Sequence, residues 1–306
     1  MHKPVGSPLN YTGGKLRLLP QIAPLLPADT DTLHDVFCGG GNVLANVPAR
    51  AFTARDIQPD VMRTIRWMAG TGGADVLMAC DRIIRNYGLS RSHLHGYAHY
   101  GCGSGQGLSG FNRDAYLRLR ARYPAIRNRD EDRAAAHFLV MVIYAFNNQI
   151  RFGREGFNMP PGKRDMNASM RSKITSFCDR LAERRPVLVT GCYSTLNPGT
   201  LGRKDLVYAD PPYLLGRACY NEGGQWTEAD ETRLLGWLDE VDRIGARFAL
   251  SNVLIHKGDE NTILRDWCRS RGWRVKRLTA CYGNSSYRAK HRSGGTQEVL
   301  IMNYWP

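Results

Sequence analysis

The sequence predicts an α/β fold: an open, doubly wound, mostly parallel sheet of seven strands with helices on both faces. Three observations predict it. Short apolar runs alternate with helix-like stretches through the second half of the chain. Two strand-like runs near the N-terminus, one opening at Thr32 and one over 52–57, flank a glycine-rich turn. The apolar run Leu206-Val207-Tyr208-Ala209 stops at Pro211-Pro212, as a buried parallel strand does when it ends abruptly. Further strands over 187–189, 248–253, 274–281 and 299–304 bring the number to seven, a Rossmann-like arrangement. Helices read over 168–184, 227–244 and 261–271, and the last two strands can pair as an antiparallel hairpin around Gly294-Gly295-Thr296.

Composition bounds the function. A chain of 306 residues, 42% hydrophobic, can bury one large core, or one core and a modest second domain. Its apolar runs, such as 138–146, are too short to cross a bilayer, and Met1-His2-Lys3-Pro4 lacks the apolar region of a signal peptide. The eight cysteines show no CxxC spacing, which suits reduced thiols in a cytoplasmic protein. A net charge of +14 favours a polyanionic partner, although a merely soluble basic surface gives the same number.

The chemistry gathers around Asp210-Pro211-Pro212-Tyr213. The segment offers an acid, carbonyls and an aromatic ring at the carboxyl edge of the sheet, where open α/β sheets bind ligands. These groups suit methylation of an exocyclic amine on a planar base. The Asp210 carboxylate and the Pro211 carbonyl can accept both amine hydrogens and stabilise the positive charge that develops on nitrogen. Tyr213 offers a ring on which an extruded base can stack. Read alone, the tetrapeptide also fits a strand-ending turn with an incidental acid, the lesser of the two readings.

Upstream, Asn10-Tyr11-Thr12-Gly13-Gly14-Lys15 opens an apolar stretch, where paired glycines and a lysine can cradle an anion or a solvated lysine simply marks a helix start. The run Asp35-Val36-Phe37-Cys38-Gly39-Gly40-Gly41 is a strand-to-helix turn of the nucleotide-cradling kind. Asp56, at the end of the second strand, stands where an acid can hydrogen-bond a ribose diol, or where it can be a plain surface acid. Helices are expected over 59–88, 113–123 and 131–146, the last with a core-like apolar centre. Between them, 88–110 is an irregular Gly/Ser/His/Tyr insertion; its His93, His95, His99 and Cys102 lack ligand spacing, so no metal is expected. In 147–164, amides stand beside arginines, a mixture that reads adenine and guanine edges, and Gly153 and Gly156 point to a turn or hairpin; a polar surface loop has the same composition. The stretches 265–277 and Arg288-Ala289-Lys290-His291-Arg292 can grip phosphates, although solvated helix and loop faces account for the charge equally well, above all in the first stretch.

Five motifs in order resemble the Dam-type adenine methyltransferases (D12 class, alpha group). They are Tyr11-Thr12-Gly13-Gly14-Lys15, the glycine loop at 39–41, the recognition stretch 147–164, Asp210-Pro211-Pro212-Tyr213 and the Gly294-Gly295-Thr296 tail. The resemblance runs from Asn10 to Tyr304. It implies a class I S-adenosylmethionine-dependent enzyme that flips adenine out of duplex DNA and methylates N6, with no metal, no membrane and no covalent intermediate. It implies a catalytic domain over 1–58 and 186–306, and a smaller helical and hairpin target-recognition domain over 59–185. The catalytic set is Asp210, Pro211, Pro212, Tyr213 and Lys15. Cofactor binding falls to Tyr11, Gly13, Lys15, Asp35, Phe37, Gly39, Gly41, Asp56 and Asp210. DNA binding falls to Asn147, Gln149, Arg151, Pro160, Arg164, Tyr220, Arg288, Lys290 and Arg292, with Trp226 beside Tyr220 in a loop near the flipped base. Gln149 is polar where several GATC-reading members are apolar, and the gap from Arg151 to Phe157 is one residue short, so GATC is one target among others. Cytosine-N4 or RNA adenine methylation uses the same amine chemistry, and a DNA-binding regulator of the same fold that no longer catalyses is the reading from another class. Cytosine-N4 enzymes more often carry Ser at the position of Asp210.

Overall fold

The structure is a computed structural model that describes residues 4–11, 13–154, 156–215, 226–279 and 295–305. Ten strands are β1 (Thr32–Asp35), β2 (Ala51–Asp56), β3 (Phe152–Gly153), β4 (Gly156–Phe157), β5 (Val187–Thr190), β6 (Leu206–Ala209), β7 (Arg247–His256), β8 (Asp259–Glu260), β9 (Arg274–Leu278) and β10 (Gln297–Met302) among the described residues. The main sheet runs β5-β2-β1-β6-β7-β10-β9, with β10 antiparallel to both neighbours and every other pair on that path parallel. This is the expected Rossmann-like methyltransferase sheet of seven strands. An eighth, β8, adds two residues against the end of β7.

The seven strands form where their patterns indicate. All four residues of β6 are buried, since helices cover both faces. Along β7 and β10, alternate side chains enter two separate cores: Ala249, Leu300 and Met302 on one face, Phe248, Leu250, Val299 and Ile301 on the other. The antiparallel pairing of β9 with β10 agrees with the expected hairpin; its connection lies outside the described residues.

The helices are α1 (Leu19–Ile22), α2 (Asn42–Asn46), α3 (Pro59–Thr71), α4 (Gly73–Tyr87), α5 (Ser92–His95), α6 (Ser109–Arg127), α7 (Glu131–Tyr144), α8 (Ala168–Arg184), α9 (Glu228–Arg243) and α10 (Thr262–Arg271). The expected helix over 59–88 is two helices, because Gly72 takes φ 78° and turns the chain between them. Within 15–26, prolines 20 and 24 divide the apolar stretch into α1 and flanking 3-10 turns. The helix expected over 113–123 extends in both directions, to Ser109 and Arg127. All eleven residues of α7 from Ala134 onward are buried, as its apolar centre requires.

The segment 59–185 leaves the sheet at the end of β2 and returns as β5, the neighbouring strand. Its first and last helices, α3 and α8, share one buried cluster with the sheet residues Leu33, Ala54 and Tyr208. The hairpin β3–β4 stands apart from the main sheet and is anchored by aromatic packing. Phe152 lies parallel to Phe138 of α7 at 6.0 Å between ring centres, and Phe157 meets the same ring edge-on at 5.5 Å.

Candidate active site

The strand order reverses direction between β1 and β6, so their carboxyl ends open a crevice at the switch point. Val36 N donates to Tyr208 O at 3.0 Å and holds the two strand ends together. Asp210 emerges from β6 into this crevice, followed by buried Pro211, exposed Pro212 and half-buried Tyr213.

Lys15, distant in sequence, reaches the same point. Its side chain is 3% exposed and its three ammonium hydrogens find three acceptors: Asp210 Oδ1 at 2.8 Å, the Tyr213 hydroxyl at 2.6 Å and Gly13 O at 2.9 Å. Tyr213 in turn donates to Asp210 Oδ1 at 3.1 Å. Both protein donors therefore meet one carboxylate oxygen. Burial pulls the Lys15 pKa down, but the Asp210 charge and hydrogen bond outweigh it and hold the ammonium protonated. Burial pushes the Asp210 carboxyl above its ordinary range while Lys15 and Tyr213 draw it back, so it is a stronger base than an exposed carboxylate. Burial, then the Asp210 charge, drives the Tyr213 phenol well above its usual value, which keeps it a donor.

The glycine turn lies beside this triangle. Gly39 and Gly41 take φ 49° and 81°, conformations open to glycine. Gly40 is held by space instead: a Cβ there would lie 2.3 Å from Leu9 O. Asp56 binds the turn to β2, accepting from Gly39 N at 2.8 Å and Gln58 N at 3.0 Å, and burial raises its pKa against those bonds. The Tyr11 ring packs on the loop, 3.4 Å from where a Cβ of Gly39 would be. Asp35 is buried. Its Oδ2 accepts from Leu44 N at 3.2 Å, whereas its Oδ1 has no partner among the described residues. Burial, reinforced by the Asp210 charge, pushes its pKa up to about 8. Phe37 turns to the other face of the sheet, where its ring lies 5.3 Å from Tyr193 and meets Trp226 edge-on at 6.1 Å.

The structure thus brings Tyr11, Gly13, Lys15, Asp35, Phe37, Gly39, Gly41, Asp56, Asp210 and Tyr213 to one sheet edge. Sequence reasoning missed Tyr193, whose signal was its place just after the carboxyl end of β5. It also missed the Lys15–Asp210 ion pair, which no local pattern encodes.

The amide- and arginine-rich stretch forms a strained surface. Asn147 and Asn148 both take positive φ, 54° and 55°, which is tolerated best by asparagine among residues with a Cβ. Asn148 Nδ2 donates to Ile143 O and pins the turn to the end of α7. Asn147, Arg151, Pro160 and Arg164 are exposed, and Gln149 is half-buried. The Arg151 guanidinium spans the ends of the β3–β4 hairpin, donating to Asn158 O at 3.0 and 3.3 Å. Asn10 Nδ2 donates to Asn147 O at 2.9 Å, and Asn10 bridges Gln149 through the backbone, so this surface is tied to the loop that carries Tyr11 and Lys15. Tyr220, Arg288, Lys290 and Arg292 lie outside the described residues. Among the described residues no group of three His, Cys, Asp or Glu side chains could hold a metal, and no helix is long and apolar enough to cross a membrane.

Sheet order and crevice together give a Rossmann-like methyltransferase fold. The chain belongs to the D12 class N6 adenine-specific DNA methyltransferase family, whose profile matches residues 11–280. It is 34% identical over 307 residues to the type II methyltransferase M.FokI of Planomicrobium okeanokoites, covering 98% of this chain and 43% of that protein. It is 33% identical over 309 residues to the modification methylase StsI of Streptococcus sanguinis, covering 99% and 43%. Over 305 residues it is 23% identical to the type II methyltransferase M1.LlaDCHI of Lactococcus lactis subsp. cremoris, covering 96% and 94%. The chain therefore spans less than half the length of the first two relatives.

Proposed function

We propose that this chain transfers a methyl group from S-adenosylmethionine to the N6 amine of adenine within a short duplex DNA motif, after extruding the base. The observation that carries the reading is the Asp210 triangle. Lys15 and Tyr213 both occupy Oδ1 of a carboxylate whose basicity burial has raised. Oδ2 and the Pro211 carbonyl are then the acceptors for the two amine hydrogens, fixed before the base arrives. As the amine attacks, positive charge grows on its nitrogen, and the acceptors bind it more tightly than they bind the neutral ground state. Lys15 orients the carboxylate. It also fixes the Tyr213 ring from its hydroxyl end, 2.6 Å from the oxygen, and the ring face is offered to the base. The amine proton leaves to water after transfer.

The residues fit the cofactor. Asp56 and Asp210 face the crevice, and beside them the buried Asp35 carboxyl, which holds its proton up to about pH 8, leaves Oδ1 without a partner among the described residues and open to a polar group of the ligand. The glycine turn permits close backbone approach, with Tyr11 and Phe37 as flanking rings. Asp56 keeps lone pairs for a ribose diol beyond those used by Gly39 and Gln58. S-adenosylmethionine supplies the electrophilic methyl group when bound. Asn147, Gln149, Arg151, Pro160 and Arg164 form the DNA-reading surface, and 59–185 is the recognition part of the chain.

The test is incubation of the purified chain with unmethylated plasmid and S-adenosylmethionine, followed by nucleoside mass spectrometry and long-read mapping of modified bases. N6-methyladenine at one short motif is expected, and its sequence shows whether that motif is GATC. N4-methylcytosine would overturn the base assignment, and an unmodified plasmid would overturn the activity.

A further inference from the structure

We infer that Glu231 is a positioning residue for the cofactor pocket, a latch that holds the Trp226 indole against Phe37; the inference rests on the S-adenosylmethionine reading above. Glu231 lies in the first turn of α9 and is fully buried, yet among the described residues no cation pairs with it. A buried carboxylate without a counter-charge is costly unless its hydrogen bonds are complete. Here they are supplied by three neutral donors. Trp226 Nε1 gives to Oε2 at 2.7 Å, and Asn252 Nδ2 and Asn261 Nδ2 give to Oε1 at 3.0 and 2.9 Å. The N-terminal end of α9 adds a favourable dipole.

Each partner belongs to a different element. Asn252 sits on β7, and Asn261 caps α10 by accepting from Leu264 N at 3.0 Å. Trp226 precedes the capping box of α9, formed by Thr227 and Asp230. The carboxylate therefore ties three rigid elements to one indole. That indole meets the Phe37 ring edge-on at 6.1 Å, and Phe37 leaves β1 two residues after Asp35. Without the latch Trp226 keeps its apolar packing but loses the hydrogen bond that sets the direction of its indole, and Phe37 loses one side of its support. Trp226 thereby belongs to the cofactor wall rather than to the base-binding loop.

Because every partner is a donor, glutamine cannot replace the acid. Its amide would turn Nε2 toward at least one N–H. The experiment uses the full chain, with calorimetric binding of S-adenosylmethionine, steady-state methylation and duplex DNA binding measured for wild type, Glu231→Gln, Trp226→Phe and the double variant. Glu231→Gln is expected to weaken cofactor binding about tenfold, the loss that one unsatisfied buried donor produces. KM for the cofactor should rise alike, while kcat at saturation and DNA affinity stay within about twofold. Trp226→Phe should weaken cofactor binding too, and the double variant should be little worse than either single one, because both cut the same link. Cofactor affinity within twofold of wild type for Trp226→Phe overturns the inference, as do losses that multiply in the double variant. Trp226→Phe alone decides the matter if Glu231→Gln does not fold. A wild-type chain that binds no S-adenosylmethionine overturns the cofactor reading and the latch together, whereas normal wild-type binding with unaltered variants overturns only the latch.

Discussion

Asp210→Asn keeps the shape of the side chain and removes its charge. The amide oxygen would stay with Lys15 and Tyr213, which both donate to Oδ1. The amide nitrogen would then take the place of Oδ2 and point a donor at the substrate amine. One charge-assisted hydrogen bond to the transition state is worth about 1.5–3 kcal/mol, and loss of one preorganised polar contact at a reacting centre typically costs about 10²–10³ in kcat. A fall of about 100–1000-fold in the single-turnover rate is expected, with cofactor and duplex DNA saturating and DNA affinity within a few-fold of wild type. The substitution has a second effect. The Lys15 side chain, 3% exposed, loses its counter-charge, and an orphaned buried charge costs about 3–5 kcal/mol of stability. Melting must therefore be followed alongside rate, and Lys15→Met added to Asp210→Asn should recover much of the lost stability while the rate stays low. A rate within tenfold of wild type would refute the assignment of Asp210. A parallel loss of DNA affinity would make it a scaffold residue.

Three further outcomes follow from the same geometry. Asp35 binds its proton in the folded chain up to about pH 8, against an ordinary value of 3.8, so its contribution to stability is complete below about pH 4 and is lost as pH rises toward 8; Asp35→Asn should flatten the melting-temperature profile across that window, and parallel profiles would rule the titration out. Gly40→Ala would drive a methyl group to 2.3 Å from Leu9 O; a loss of about 1–3 kcal/mol in chemical denaturation, with weakened cofactor binding, is expected, and an unchanged midpoint would show that the loop yields freely. Arg151→Ala should reduce discrimination between cognate and near-cognate sites by about 1–3 kcal/mol; equal losses on all duplexes would make Arg151 a phosphate contact.

What could be read from the sequence was local. The run 206–209 ends at two prolines, and the turn at 39–41 needs glycine for its backbone angles, so both stand out without neighbours. The β3–β4 hairpin was legible through Gly153 and Gly156. The two residues of β8 carry no periodicity and were not. Gly72 divides α3 from α4 inside an otherwise continuous helical pattern, and a lone glycine in such a pattern does not announce its φ. The deeper misses are pairings across the chain. Lys15 was visible as a motif residue, but its partner lies 195 positions away at the end of β6, and only the folded chain brings the two together. Glu231 carries no local signal in the sequence, and only the fold reveals three donors around it.

The excursion between β2 and β5 has a consequence for how such a chain can diversify. About 130 residues depart after Asp56 and come back at Val187, on strands held in register through Thr53↔Val187 and Asp56↔Thr190. Closure entropy grows only with the logarithm of length, so this detour costs about 2 kcal/mol more than a ten-residue connection would. The sheet edge fixes the two ends wherever the detour wanders. Between α3 and α8, which serve as piers, the span can lengthen, shorten or be exchanged while the crevice keeps its shape. If 59–185 reads the target as proposed, a new target sequence would be acquired by grafting on one side of the sheet while the crevice on the other stays as it is.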